Sequence, residues 1–206
     1  MSPLRTLAAA AALCTGAAHA GYISNGSFEA ETLVNGDWTN RSALTGWLAG
    51  PAGVEIRNNV AGAAQDGKMY VELDTTGNSA IWQTITTGNG QHLRLSAWYA
   101  PREGVGLDSN DIQVWWGNTL LSTLAGSGAG QSGNQWREFT WDVVGSGTDT
   151  LRFSAVGTSD SLGGSLDNIR LKAAEGELAR AEDLSRIWLR TASGELLRLD
   201  SVATLK

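Results

Sequence analysis

Between residues 68 and 172 apolar and polar side chains repeatedly alternate with period two, and each run ends among Gly, Asn, Ser or Asp. In an extended strand successive side chains point to opposite faces, so such a run buries one face and wets the other. The clearest runs are Lys68 to Asp74, Ala80 to Thr86, His92 to Trp98, Asp111 to Trp116, Trp136 to Val143, Thr150 to Ala155 and Ser165 to Lys172. Turn signals such as Thr87-Gly88-Asn89-Gly90 separate them, and no helical period competes before residue 173. With 26 Gly against 3 Pro, and about nine short strands in all, the chain reads as an antiparallel all-β sandwich.

Parity assigns the faces. Val71 and Leu73 point into the core, as do Leu93, Leu95 and Ala97, then Ile112, Val114 and Trp116. Phe139, Trp141, Val143, Leu151 and Phe153 join them. The opposite parity turns Trp98 and Arg94, Trp115 and Gln113, and Tyr70, Glu72 and Asp74 away from the core. These three groups form one surface if their strands are neighbours in one sheet.

The start of the chain reads as a secretory leader over residues 1–20. Arg5 supplies a positive n-region, Leu7 to Leu13 an apolar run and Ala18-His19-Ala20 a cleavage site, leaving Gly21 first in a secreted or periplasmic protein. Cleavage removes Cys14, the one cysteine, so the remaining chain has no thiolate chemistry and no disulfide. It also leaves His92 as the single histidine, which excludes any site built on two imidazoles. No later segment approaches the roughly 20 apolar residues of a transmembrane helix. A net charge of -6 offers no basic stripe for phosphates, so nucleic acid is excluded as a partner. Ala125 to Gly133 is glycine-rich but lacks the Lys and helix of a phosphate-binding loop, and reads as an inter-strand loop.

Four segments carry a resemblance: Asn25-Gly26-Ser27-Phe28-Glu29, Gly67 to Asp74, Leu95 to Ala100, and Ser159 to Ile169 with its Leu166-Asp167-Asn168-Ile169 close. Together they resemble the galactose-binding-like jelly roll, nearest to domain-of-unknown-function family 642 and exported proteobacterial relatives, over residues 21–172. The resemblance implies a jelly-roll β-sandwich, a non-catalytic role of the carbohydrate-binding-module kind, and a structural calcium ion tying the first strand to the last. Matching positions for that ion are Glu29, Asp167 and Asp66, with carbonyls near Ser27 and Lys68, since calcium takes six to eight oxygens. Turn chemistry is the alternative, because Asp side chains also bond neighbouring backbone.

A polysaccharide or other glycan is the partner that the outward groups suit. Aromatic faces stack on the C–H faces of pyranose rings while polar side chains bond the hydroxyls. Among the 9 tryptophans, Trp98 and Trp115 are the candidate platform, with Arg94, Gln113, Tyr70 and Glu72 as polar partners, whereas Trp116, Trp136 and Trp141 read as packing. The alternative is a structural or adhesive protein whose outward tryptophans meet a protein partner. A hydrolase would need two carboxylates across a bond; Glu55, Glu72, Glu103 and Asp111 supply the residue type but no telling spacing.

After Lys172 the composition shifts to a charged, helix-prone linker and then Ser185 to Leu205, which reads as a β-hairpin. Within this 173–206 tail, Ala181 to Leu199 looks like a periplasmic hairpin of resistance-nodulation-division efflux pumps. No transport role follows, since nothing here spans a membrane.

Overall fold

The computed structural model describes residues 22–174 and the backbone of two later short strands. Twelve strands build the sandwich. They are β1 (Trp38–Arg41), β2 (Ala43–Leu44), β3 (Trp47–Ala49), β4 (Val54–Asn58), β5 (Met69–Glu72), β6 (Ala80–Thr86), β7 (His92–Ala100), β8 (Ile112–Trp116), β9 (Thr119–Leu124), β10 (Arg137–Val144), β11 (Thr148–Ala155) and β12 (Ser165–Ala173). A first sheet orders them β1-β4-β5-β12-β7-β10 and a second β2-β3-β6-β11-β8-β9, and neighbouring strands pair antiparallel. This is an antiparallel sandwich, as the alternation predicts, and a jelly roll, as the resemblance implies.

All seven clear runs are strands, with ends shifted by a few residues. The elements that alternation did not single out are β1 to β4 and β9. In β4 all five residues are buried, and in β5 all four, so wet-and-dry alternation has no expression in exposure there. β8 and β9 are joined by Gly117-Asn118, a two-residue loop with Gly117 at φ 55, the conformation that a hairpin reserves for glycine at its first central position.

The core lies between the sheets. Val71, Leu73, Leu93, Leu95, Ala97, Ile112, Val114, Leu151 and Phe153 are all fully buried, and Trp116 and Val143 nearly so, as parity predicts. Phe139 and Trp141 face the same way but stay half-buried, because β10 is the sheet's edge strand and lacks a neighbour to cover it. Phe28, Trp47 and Phe153 stack through the centre with ring centroids 5.9 and 6.3 Å apart.

Two of the telling motifs meet in one junction. β12 is irregular between Asp167 and Arg170, with Asn168 at φ 48, and there Ile169 N–H donates to the Gly26 carbonyl at 2.8 Å. A Cβ on Gly26 would stand 2.0 Å from the Ile169 oxygen, so only glycine lets the incoming chain lie against this bulge. Gln83 clamps the same segment, its amide accepting from Ser24 N–H and donating to the Ser24 carbonyl.

β12 runs to Ala173, and Ala174 N–H donates to the His92 carbonyl, so the sandwich ends at least two residues beyond the Lys172 boundary. In the tail, β13 (Trp188–Arg190) pairs antiparallel with β14 (Leu196–Arg198). The leader and the helical linker lie outside the described residues. Among the described residues no helix is long and apolar enough to cross a membrane.

Candidate ligand-binding faces

The residues expected to form one platform are divided between two faces. Trp98 and Arg94 lie on β7 in the first sheet, and Trp115 and Gln113 on β8 in the second. Since both sheets turn their other faces into the shared core, the two tryptophans look out from opposite sides of the sandwich. Parity within each strand was right; the condition that the strands be sheet neighbours fails.

On the second sheet, cross-strand pairing aligns Ala43, Leu48, Trp82, Arg152, Trp115 and Leu120 in one row across all six strands. Directly opposed side chains in an antiparallel ladder share a face and touch. Leu48 and Leu120 are 58% and 43% exposed, and Trp82 and Trp115 are half-buried. Arg152 lies between the two indoles with its guanidinium carbon 4.9 Å from the Trp115 ring centre, a cation–π contact. Trp115 Nε1 donates to Gln113 Oε1 at 3.2 Å, which fixes the ring's tilt. Strand spacing sets Trp82 and Trp115, two strands apart, at about 9–10 Å.

Beside this row opens a cavity of about 640 Å³ lined by Trp82, Arg152, Asn78, Ser79, Asn118 and Thr150, among others. Asn78 Oδ1 and Ser79 Oγ are buried there without a hydrogen-bond partner. Trp82 was not singled out from the sequence, although Ile81, Gln83 and Ile85 turn inward and so throw it outward by the same parity. Arg152 follows from Leu151 and Phe153 in the same way.

On the first sheet, Tyr70 and Glu72 do leave the core face, but both are fully buried and cannot meet a ligand directly. Loops cover them. Trp136 packs edge-on against Tyr70 at 5.7 Å, and the Trp136 indole and Asn134 amide both donate to the Ala63 carbonyl, closing the 59–68 loop over β5. Glu72 accepts from Arg57, from Arg102 at 3.0 Å and from Gly163 N–H at 2.8 Å, while Arg57 also bonds Glu55. Burial raises the Glu72 carboxyl to about 7, although Arg57 and Arg102 pull it down. Arg57 is 2% exposed and its Nη1 has no partner. Elsewhere on this face Arg94 pairs with Asp142 at 3.0 Å, and half-buried Trp98 sits between Glu138 and Asp167 in register.

Three of the four carboxylates considered for hydrolysis are engaged in structure. Glu55 and Glu72 oppose each other across β4 and β5 and share the Arg57 guanidinium, and Glu103 accepts from Gly133 N–H at 2.9 Å. Burial raises the Asp111 carboxyl, with Asp108 adding to it.

Glu29 and Asp167, the two strongest calcium candidates, converge on one loop from opposite ends of the domain. Glu29 Oε1 accepts from the N–H groups of Lys68 and Met69, and Asp167 Oδ2 from those of Gln65 and Asp66. Asp66 instead pairs with exposed Arg170 at 3.4 Å. Asp167 is fully buried with only backbone N–H donors around it, and burial raises its carboxyl to about 7. Oxygen donors of this kind suit a hard cation. Among the described residues, however, no three acidic, His or Cys side chains group to hold a metal, so two carboxylates and backbone carbonyls are the set the junction offers.

No protein-family profile matches the chain, and no curated protein matches it either, so the resemblances to family 642 and to an efflux-pump hairpin gain no support. Solved structures do match. The carbohydrate-binding module TmCBM61, solved in complex with β-1,4-galactotriose, superposes with a TM-score of 0.50 at 16% identity, over 75% of this chain and 99% of its own. The K1 cleaved adhesin domain of Lys-gingipain from Porphyromonas gingivalis gives 0.49 at 16% identity, over 68% of this chain and 99% of its own. A family 16 carbohydrate-binding module gives 0.45 at 15%, over 73% of this chain and 99% of its own. At such identities the likeness is one of architecture: this chain has the jelly-roll sandwich found in carbohydrate-binding modules.

Proposed function

We propose that the chain is an exported, non-catalytic module that binds a polysaccharide of the cell wall or extracellular matrix along the outer face of its second sheet. The observation that carries this reading is the Trp82–Arg152–Trp115 row beside a 640 Å³ cavity. Two aromatic faces about 9–10 Å apart match sugar rings repeating along a chain. Arg152, Asn118 and Thr150 supply donors and acceptors for hydroxyls beside the rings. Solved carbohydrate-binding modules share the architecture, and the leader-like start supports export. The sharing of Arg57 by Glu55 and Glu72 supports the absence of a hydrolytic pair.

The test is affinity electrophoresis of the chain lacking residues 1–20 against a panel of cell-wall and matrix polysaccharides. Trp82→Ala and Trp115→Ala should each remove retardation while leaving the melting temperature within a few degrees. Trp98→Ala, on the other face, should leave retardation intact. The adhesive alternative has its own observation, the exposed Leu48 and Leu120 that flank Trp82 and Trp115 in the row. It takes precedence if no polymer retards the chain and a protein partner is lost in Leu48→Asp.

The same reading includes a calcium ion at the junction, held by Glu29 and Asp167 with carbonyls of the adjoining loop. Its support is the buried Asp167 charge without a cationic partner. Calcium should then raise the melting temperature and chelator reverse it; equal melting in both removes the ion from the reading.

A further inference from the structure

The first sheet carries a second cavity of about 370 Å³, on the side of the sandwich opposite the Trp82–Trp115 row. Its walls include Trp38, Asn40, Glu55, Arg57, Arg102 and Ser161. With Glu72 ionised, above its value of about 7, the charges beneath it balance. Two carboxylates, Glu55 and Glu72, face two guanidiniums, Arg57 and Arg102, in one connected network. A balanced floor favours neither an anion nor a cation, since each would meet as many like charges as opposite ones. It does offer acceptors and donors side by side, which is what a hydroxyl satisfies, because a hydroxyl donates and accepts at once.

Two further features point to a ligand. Arg102 lines the cavity with its side chain 22% exposed while it bonds Glu72, so its guanidinium is the donor at the wall, above the buried Arg57. At the mouth, Trp38 opposes Arg57 across β1 and β4 and is 53% exposed, an indole face with nothing from the described protein covering half of it. A hydroxyl bound there adds to this network without breaking its ion pairs. The volume is near the small end of ligand pockets, which run from about 300 to 1,000 Å³, and so suits a single sugar unit rather than a chain passing through.

We infer that this cavity is a second binding site, for a neutral terminal monosaccharide unit, with Trp38 stacking on the ring and Arg102 and Glu55 bonding its hydroxyls. The module then has two faces: one holds a polymer along its length, the other a chain end, and one molecule bridges two chains. The bridging rests on the polysaccharide reading above; the cavity's own preference does not.

The experiment titrates the chain lacking residues 1–20 with methyl glycosides of glucose, galactose, mannose and xylose, followed by ligand-observed NMR. At least one glycoside should bind at millimolar concentration. Trp38→Ala should weaken it about tenfold, the equivalent of one stacking contact, Trp38→Phe should retain it, and Trp82→Ala should leave it unchanged. Because Trp38 is exposed, its loss leaves the fold intact. Light scattering with a retained polymer should rise for the unsubstituted chain and stay flat for Trp38→Ala. If no glycoside binds while polymer retardation persists, the second site is refuted and the first stands. If Trp82→Ala removes glycoside binding and Trp38→Ala does not, the sugar sits on the second sheet and this inference fails. Glycoside binding with no polymer retardation keeps the cavity and overturns the bridging.

Discussion

Glu72 lies with no exposure between Arg57, Arg102 and the Gly163 amide, and desolvation outweighs these partners to bring its carboxyl to about 7 from an ordinary 4.5. A group whose folded-state value is raised contributes stability that is complete below its unfolded value and is lost as pH rises through the folded one. The stability difference between the unsubstituted chain and Glu72→Gln should therefore shrink from about pH 4.5 to 7, by on the order of 2–3 kcal/mol. Urea unfolding across that interval checks it; a difference that grows with pH would mean that the ion pairs outweigh burial. Gly67 is constrained by a different force. It sits at φ 68, and a Cβ there would be 2.3 Å from the Glu29 carboxyl carbon. Gly67→Ala should cost at least about 1–2 kcal/mol from the left-handed backbone alone, seen as a lower melting temperature.

At the level of elements, the Ser159 to Gly164 segment shows why a loop reads so distinctly in sequence. Asp74, two residues beyond β5, accepts from the N–H groups of Asp160 and Ser161 and from the Ser159 hydroxyl, and Glu72 accepts from Gly163. Gly164 passes so close to Tyr99 and the Asn110 carbonyl that a Cβ would come within 2.6 and 2.5 Å of them. Asp74→Ala should remove about 3 kcal/mol and speed hydrogen exchange at Asp160 and Ser161 while β6 to β8 keep their protection. Equal exchange in both proteins would show that the loop is held by its glycines instead. Glu72 and Asp74 thus anchor loops, a role that parity alone presented as a surface.

For the molecule as a whole, the two sheets depend on their shared aromatic centre. Phe153 is fully buried against Trp47, and Phe153→Ala should cost about 3–5 kcal/mol, measured by denaturant unfolding. Cutting the chain after Ala174 keeps every strand of the sandwich and its last bond to His92. That truncation should shift the melting temperature by no more than about 2 °C, whereas a large fall would show that the tail with β13 and β14 stabilises the sandwich.

Local periodicity determined the strands from β5 onward apart from β9, and the inward set from Val71 to Phe153, because alternation is a property of neighbouring residues in one strand. It also placed Trp98 and Arg94 together, and Trp115 and Gln113 together, and held the signal that throws Trp82 and Arg152 outward. Which sheet each strand joins depends on partners far away in the chain: β12 lies between β5 and β7, and β11 between β6 and β8. Only that non-local pairing separated Trp98 from Trp115 and set Trp82, Arg152 and Trp115 side by side. Covering is non-local as well. Tyr70 and Glu72 point outward as read, but the closure of Trp136 and Asn134 on Ala63 and the salt bridges of Arg57 and Arg102 bury them, through contacts that no period within β5 encodes.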